Sequence, residues 1–176
     1  ATLVLLILEQ QVSLESGAAV YARMLDLLGE VTAETILEAG DEKLHAIGLT
    51  RQKAGYVTGL AAMVDEGDLD LDGLASVPGT EARATLLAVR GIGPWTADAY
   101  LLSALGLPDV FPIGDRALQV GTGEVLGMDG PPAPDDLEVL SEPWRPVRAA
   151  AARLIWHSYL ARRGRSEPAH ASESGA

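Results

Sequence analysis

Apolar positions in this chain recur at three- and four-residue intervals and hardly anywhere in alternation. Residues 50–66 are the clearest case, with Ala54, Val57, Leu60, Ala61 and Val64 on one helical face. Start and stop signals divide the rest. Residues 3–9 form a short apolar segment. Ser13 or Ser16 is placed to cap a helix reaching about Leu28, where Gly29 ends it. Thr32 caps a short helix to Glu38, without a full capping box, because position 35 is threonine rather than Glu or Gln. Residues 41–47 read as another short helix, stopped by Gly48. Further helices are expected over 69–74, 80–89, 94–105, 115–125, 135–141 and 146–162, with Pro131, Pro132 and Pro134 marking a loop. Only Val110 and Phe111 look extended, between Pro108 and Pro112. The pattern predicts an all-α protein.

With 176 residues, 48% of them apolar, the chain can bury one substantial core. One helical domain is expected over 1–163, followed by a disordered tail over 164–176. The chain opens abruptly inside an apolar segment, which sets the expectation of a further helix or subdomain upstream. There is no cysteine, hence no disulfide, thiolate zinc site or cysteine-ligated iron–sulfur cluster. Apolar runs such as residues 3–8 are too short to span a bilayer. The start lacks the basic region and cleavage site of a secretory signal, so a soluble intracellular protein is the default.

Charge complicates a reading that involves nucleic acid. The formal net charge is −12, from 25 acids against 13 bases. Residues 1–80 hold 13 acids and four bases, whereas residues 143–166 hold six arginines and no acid. Those arginines are Arg145, Arg148, Arg153, Arg162, Arg163 and Arg165. Read one way, this is an acidic body with a basic stripe that can meet a phosphate backbone. Read the other way, it is an ordinary acidic surface with an arginine-rich end.

The candidate chemistry lies in residues 86–97, LLAVRGIGPWTA, and in Asp115, twenty residues beyond Trp95. The segment reads as a helix end, a turn through Gly91, Ile92 and Gly93, and a new helix opening on Pro94. Proline at a first helical position loses nothing, since its amide would be unpaired there. Backbone amides beside glycines at a helix N-terminus can seat a phosphate oxygen. A plain helix–helix turn has the same bare pattern. No strand precedes these glycines and no lysine follows, so this is not a nucleotide-binding glycine loop. Asp115 precedes Arg116, Ala117 and Leu118, where it can cap a helix, act chemically, or do both. His45, His157 and His170 show no metal-ligand spacing.

Four pieces, in order, resemble the helix-hairpin-helix superfamily of base-excision DNA glycosylases. They are residues 7–13 (ILEQQVS), the hairpin 89–97, the loop 109–115 (DVFPIGD) and residues 153–156 (RLIW). Within the superfamily the likeness is to the 3-methyladenine DNA glycosylase II branch. It implies the helical glycosylase core without that branch's N-terminal β subdomain.

By position, the resemblance makes Asp115 the catalytic aspartate. Trp95 stands where bifunctional relatives carry a Schiff-base lysine, which implies a monofunctional glycosylase without lyase activity. Trp95 and Trp156 match base-pocket aromatics, and both residue positions also suit ordinary packing. Ala99 stands where some relatives have tyrosine, with Tyr100 next to it as the remaining aromatic candidate. Gln10 and Gln11 match a turn at the minor groove, Gln11 taking the wedge position that fills the gap of a flipped nucleotide. Simple turn chemistry is the alternative for both. Arg90, Gly91, Gly93 and Thr96 are the expected phosphate contacts. A structural cation, sodium or magnesium, is implied on the carbonyls of Leu87, Val89 and Ile92, with no cofactor required.

The expectation is a monomeric monofunctional DNA glycosylase for alkylated purines such as 3-methyladenine and 7-methylguanine. Its partner is damaged double-stranded DNA, with no membrane, in a bacterial cytoplasm at the nucleoid. The alternatives are a glycosylase for deaminated or mispaired bases, and a noncatalytic DNA-structure-binding module.

Overall fold

The computed structural model describes residues 1–165. Its described part is helical throughout, with no β-strand. The sequence reads as one helical domain. Within it the chain separates into two compact units, Ala1–Thr96 and the residues from Ala97 onward.

The first unit contains α1 (Thr2–Glu9), α2 (Leu14–Leu28), α3 (Ala33–Ala46), α4 (Arg51–Asp65) and α5 (Gly79–Ala88). It also holds the first turn of α6 (Pro94–Ser103), inside which the division falls. α3 packs along α4, and α1 packs on α2 and α4. Ile7, Leu8, Met24, Leu44, Leu49, Val57 and Leu86 are fully buried among these helices. The apolar stripe of α4 faces inward as its spacing predicts, with Ala54, Val57, Leu60 and Ala61 buried.

Side-chain caps start α2, α3 and α4. Ser13, not Ser16, caps α2, its Oγ accepting the Ser16 amide at 3.2 Å. Thr50 does the same for α4 through the Lys53 amide at 3.1 Å. At α3 the expectation of an incomplete box is corrected. Thr32 Oγ1 accepts the Thr35 amide at 3.2 Å, and Thr35 Oγ1 accepts the Thr32 amide at 3.1 Å. A threonine hydroxyl can accept as a carboxylate does, so the box closes. Gly40, at φ 71° and ψ 170°, breaks α3 into the two short helices read from the sequence. The expected helix over 69–74 does not form. Asp70 Oδ1 takes the Gly73 amide at 2.9 Å, and this side-chain bond turns the chain into a short 3-10 turn at Gly73–Ser76.

The second unit holds the rest of α6, then α7 (Arg116–Leu126), α8 (Pro134–Ser141) and α9 (Arg148–Ala161). α9 begins two residues later than expected, because Val147 has non-helical φ −120° and ψ 33°. α7 and α9 lie close at Gly121, where a Cβ would fall 2.7 Å from Ile155 Cγ2. Leu102, Phe111, Leu118, Leu137, Ala152 and Ile155 form the core, with Trp144 and Trp156 packed against it. Beyond α9, Gly164 at φ 64° turns the chain, and the Arg165 amide returns to the Leu160 carbonyl at 3.0 Å. The remainder of the expected tail, 166–176, lies outside the described residues.

Candidate active site and nucleic-acid interface

In the first unit, the hairpin forms as read. The Ile92 amide closes the turn on the Val89 carbonyl at 3.1 Å. Gly91 needs to be glycine twice over, because its φ is 93° and a Cβ there would run into the Tyr56 ring. Gly93 differs: a Cβ built on it meets nothing within 4 Å. Packing inside the protein therefore does not ask for glycine at 93. The first turn of α6 follows, with helix amides that have no intrahelical carbonyl to bond. Arg90 is exposed, and its guanidinium lies 5.9 Å from the centre of the Tyr56 ring. The Tyr56 hydroxyl accepts a hydrogen bond from Gln52 Nε2 at 2.8 Å.

The turn after α1 is tied to this hairpin. Gln10 Nε2 donates to the Gly91 carbonyl and to Thr96 Oγ1, each at 2.9 Å. Thr96 is 2% exposed. Both residues were expected on DNA, and the structure turns both inward instead. Thr96 is buried, so its hydroxyl needs a partner inside the protein, and the Gln10 amide supplies it. The resemblance gives Gln11 the wedge position. That residue is exposed, and it is the only non-glycine with positive φ, 58°, among the described residues. Lys53 on α4 was not foreseen at all. Its Nζ donates to the Leu8 carbonyl at 2.6 Å and the Gln10 carbonyl at 2.8 Å, and burial lowers its pKa. Glu9 lies buried in the same turn, close to Gly17, and burial raises its carboxyl to about 7.

The implied cation would draw on the main-chain carbonyls of Leu87, Val89 and Ile92, the oxygen type a hard cation takes. α5 ends at Ala88, so the Leu87 carbonyl belongs to its last turn, which lacks intrahelical amides. The Val89 carbonyl holds the Ile92 amide and keeps a second lone pair. Among the described residues no group of three or more His, Asp or Glu could hold a metal.

In the second unit, Asp115 caps α7. Its Oδ1 accepts the Leu118 amide at 2.7 Å and the Trp156 indole N–H at 3.0 Å. The Asp115 amide bonds the Pro112 carbonyl at 2.9 Å, and Gln119 Nε2 bonds the Ile113 carbonyl at 3.0 Å. The turn before the aspartate is thereby held from both ends. Trp156 is half-buried, with its ring against the core and its N–H on the carboxylate. Tyr100 on α6 is 8% exposed, and Trp95 is half-buried.

The arginine stripe needs correction. Arg148 Nε bonds Asp109 Oδ1 at 2.6 Å, and Arg145 Nη1 bonds Asp109 Oδ2 at 2.6 Å. Arg163 pairs with Glu124 at 2.7 Å, and Arg162 comes within 3.9 Å of the same carboxylate. Arg153 Nη2 bonds the Leu102 carbonyl at 2.9 Å. Four of the six arginines thus bond to the protein's own oxygens, and Arg162 adds a longer ion pair. Partial burial raises the Asp109 carboxyl, but the hydrogen bond and charge of Arg148 and the charge of Arg145 outweigh it, leaving the pKa lowered. Arg148 also reaches the Asp109 main-chain carbonyl at 3.0 Å, anchoring the start of the loop that ends at Asp115.

Two helices joined by a glycine hairpin, with a capping aspartate twenty residues on, define a helix-hairpin-helix protein. The family model of the HhH-GPD superfamily base excision DNA repair proteins matches residues 4–146, and the chain belongs to that superfamily. It is 31% identical over 123 residues to the DNA-3-methyladenine glycosylase of Bacillus subtilis, covering 70% of this chain and 41% of that protein. It is 29% identical over 165 residues to DNA-3-methyladenine glycosylase 2 of Escherichia coli, covering 86% and 55%. The chain spans about half the length of these curated relatives. The crystal structure of a DNA-3-methyladenine glycosidase from Bacillus halodurans superposes with a TM-score of 0.78 at 30% identity, over 92% of this chain and 76% of that one.

Proposed function

We propose that this chain is a monofunctional DNA N-glycosylase that excises alkylated purines such as 3-methyladenine and 7-methylguanine. The observation that carries this reading is the Asp115 carboxylate, whose Oδ1 is held by two N–H donors at the start of α7. Phosphate binding has no use for such an acid, but glycoside hydrolysis has. As the C1′–N9 bond breaks, its electron pair leaves with the base and positive charge builds on the sugar. A fixed carboxylate stabilises that charge. Water then bonds to C1′, and its proton passes to the carboxylate and on to solvent. The products are the free base and an abasic site. An alkylated purine already carries positive charge, so it leaves without protonation.

The relatives named for 3-methyladenine support the substrate class. Trp95, in the position where bifunctional relatives carry lysine, has no amine to form a Schiff base. Open space around Gly93 leaves room for a backbone phosphate, with Arg90 beside it. Gln11 enters the minor groove, and Trp156, bonded to the Asp115 carboxylate, contributes aromatic surface for the base. The reaction calls for no cofactor. A structural sodium or magnesium ion would rest on the carbonyls of Leu87, Val89 and Ile92. The protein would work as a monomer on damaged duplex DNA in the cytoplasm.

The test is excision from methylated duplex DNA, followed or not by alkali. Strands should break only after alkali or an apurinic endonuclease. A borohydride-trapped adduct with the unaltered protein would overturn the monofunctional reading. Binding without any base release would reduce the protein to a DNA-binding module.

A further inference from the structure

We infer that Lys53 is a positioning residue that sets the Gln11 turn against the hairpin, and so governs how well the protein displaces a paired base. The inference rests on the glycosylase reading above. A glutamine at φ 58° keeps that conformation only where its surroundings over-determine it. Lys53 supplies the hold on one side. Its ammonium bridges the carbonyls of Leu8 and Gln10, the residue just before Gln11, at 2.6 and 2.8 Å. These carbonyls lie at the end of α1, where helix geometry leaves oxygens without amide partners. Charge-assisted bonds of this kind are stronger than neutral ones.

The same helix touches the hairpin. Three residues beyond Lys53, on the same face of α4, Tyr56 lies so close under Gly91 that no Cβ fits between them. The Gln10 side chain closes the circuit by bonding the Gly91 carbonyl and Thr96 Oγ1. α4 thus fixes the distance between an exposed wedge and a phosphate seat, although neither Lys53 nor Tyr56 needs to touch DNA. Loss of the ammonium lets residue 11 relax to negative φ and swings its side chain off its line.

A wedge matters only where a base must be taken out of a stack. The test therefore compares single-turnover excision of 7-methylguanine from a paired duplex with excision of the same base from an unpaired bulge. The variants are Lys53→Met, Gln11→Ala and the double variant. Misplacement at a distance of this kind costs roughly ten- to a hundredfold, and Lys53→Met should lose that much on the paired substrate. It should leave the bulged substrate nearly unchanged, which also reports that the variant is folded. The double variant should be no slower than the slower single one, because both act on one step. Equal losses on both substrates, or additive losses in the double variant, would overturn the inference. If Lys53→Met does not fold, Lys53→Gln is read against the same two substrates. An unaltered protein that releases base from neither substrate would instead sink the glycosylase reading itself.

Discussion

The indole N–H of Trp156 and the carboxylate of Asp115 are 3.0 Å apart, joined across 41 residues. The ring of Trp156 belongs to the core of the second unit, so that core sets where the carboxylate points. Trp156→Phe keeps most of the ring and removes the donor. A hydrogen bond to a charged group contributes about 1.5–3 kcal/mol. The variant should therefore turn over roughly ten- to a hundredfold more slowly while binding abasic DNA as before. Single-turnover rates alongside binding isotherms decide this. An unchanged rate with weaker binding of methylated duplex would make Trp156 a base contact only.

Asp115→Asn separates charge from capping. Asparagine can still accept the Leu118 amide, so the melting temperature should change little. Electrostatic and acid–base losses commonly reach roughly 10²–10⁴-fold, and excision should fall by that order after correction for spontaneous base loss. Wild-type rates in a stable, DNA-binding variant would leave Asp115 as a cap and nothing more.

Arg90 and Arg148 should respond in opposite ways. Arg148 is 12% exposed and paired with Asp109, so Arg148→Met should destabilise the fold by about 1–3 kcal/mol. Arg90 is exposed, and Arg90→Glu should leave thermal melting unchanged while weakening binding to abasic DNA. Thermal melting and a binding titration on both variants check the contrast. An Arg148→Met protein that melts like wild type but binds DNA poorly would restore the basic stripe.

Glu9 carries a pH signature. Burial raises its carboxyl from 4.5 to about 7, so between these values the folded protein holds a proton that the unfolded chain has released. Stability attributable to Glu9 is therefore greatest below 4.5, falls as pH rises through this window, and levels off above 7. Glu9→Gln should flatten that part of the profile. The gap between wild type and Glu9→Gln, followed by denaturant melts from pH 4 to 8, should move in favour of the variant as pH rises through this window. A gap independent of pH would show that Glu9 titrates normally.

The helices were legible because their signals are local. Ser13, Thr32 and Asp115 each bond an amide three residues away, and that spacing can be read from sequence. Gly29 and Gly48 mark stops that are local in the same way. Asp70 misled because its side chain bonds the Gly73 amide in a turn, a choice that competes with helix over the same few residues. The site was legible only as a set of names. Nothing in its spacing tells that Gln10 turns toward Gly91, that Trp156 holds Asp115, or that Lys53 reaches Leu8 across 45 residues. The arginine run shows the limit most clearly. Six cations in a row of 24 positions look like a surface for polyanions, until Asp109 and Glu124 arrive from elsewhere in the chain and occupy four of them.

That occupation has a kinetic consequence. A molecule of net charge −12, four of whose six C-terminal arginines are paired with its own acids, has little long-range attraction for undamaged duplex. Each phosphate neutralised adds about 0.9 to the salt exponent, so a grip of few contacts gives brief encounters rather than long one-dimensional scanning. Under the proposed function, damage would be found by many short visits. Most would end quickly, and only a visit that meets a base already loosened in its stack would last long enough for chemistry.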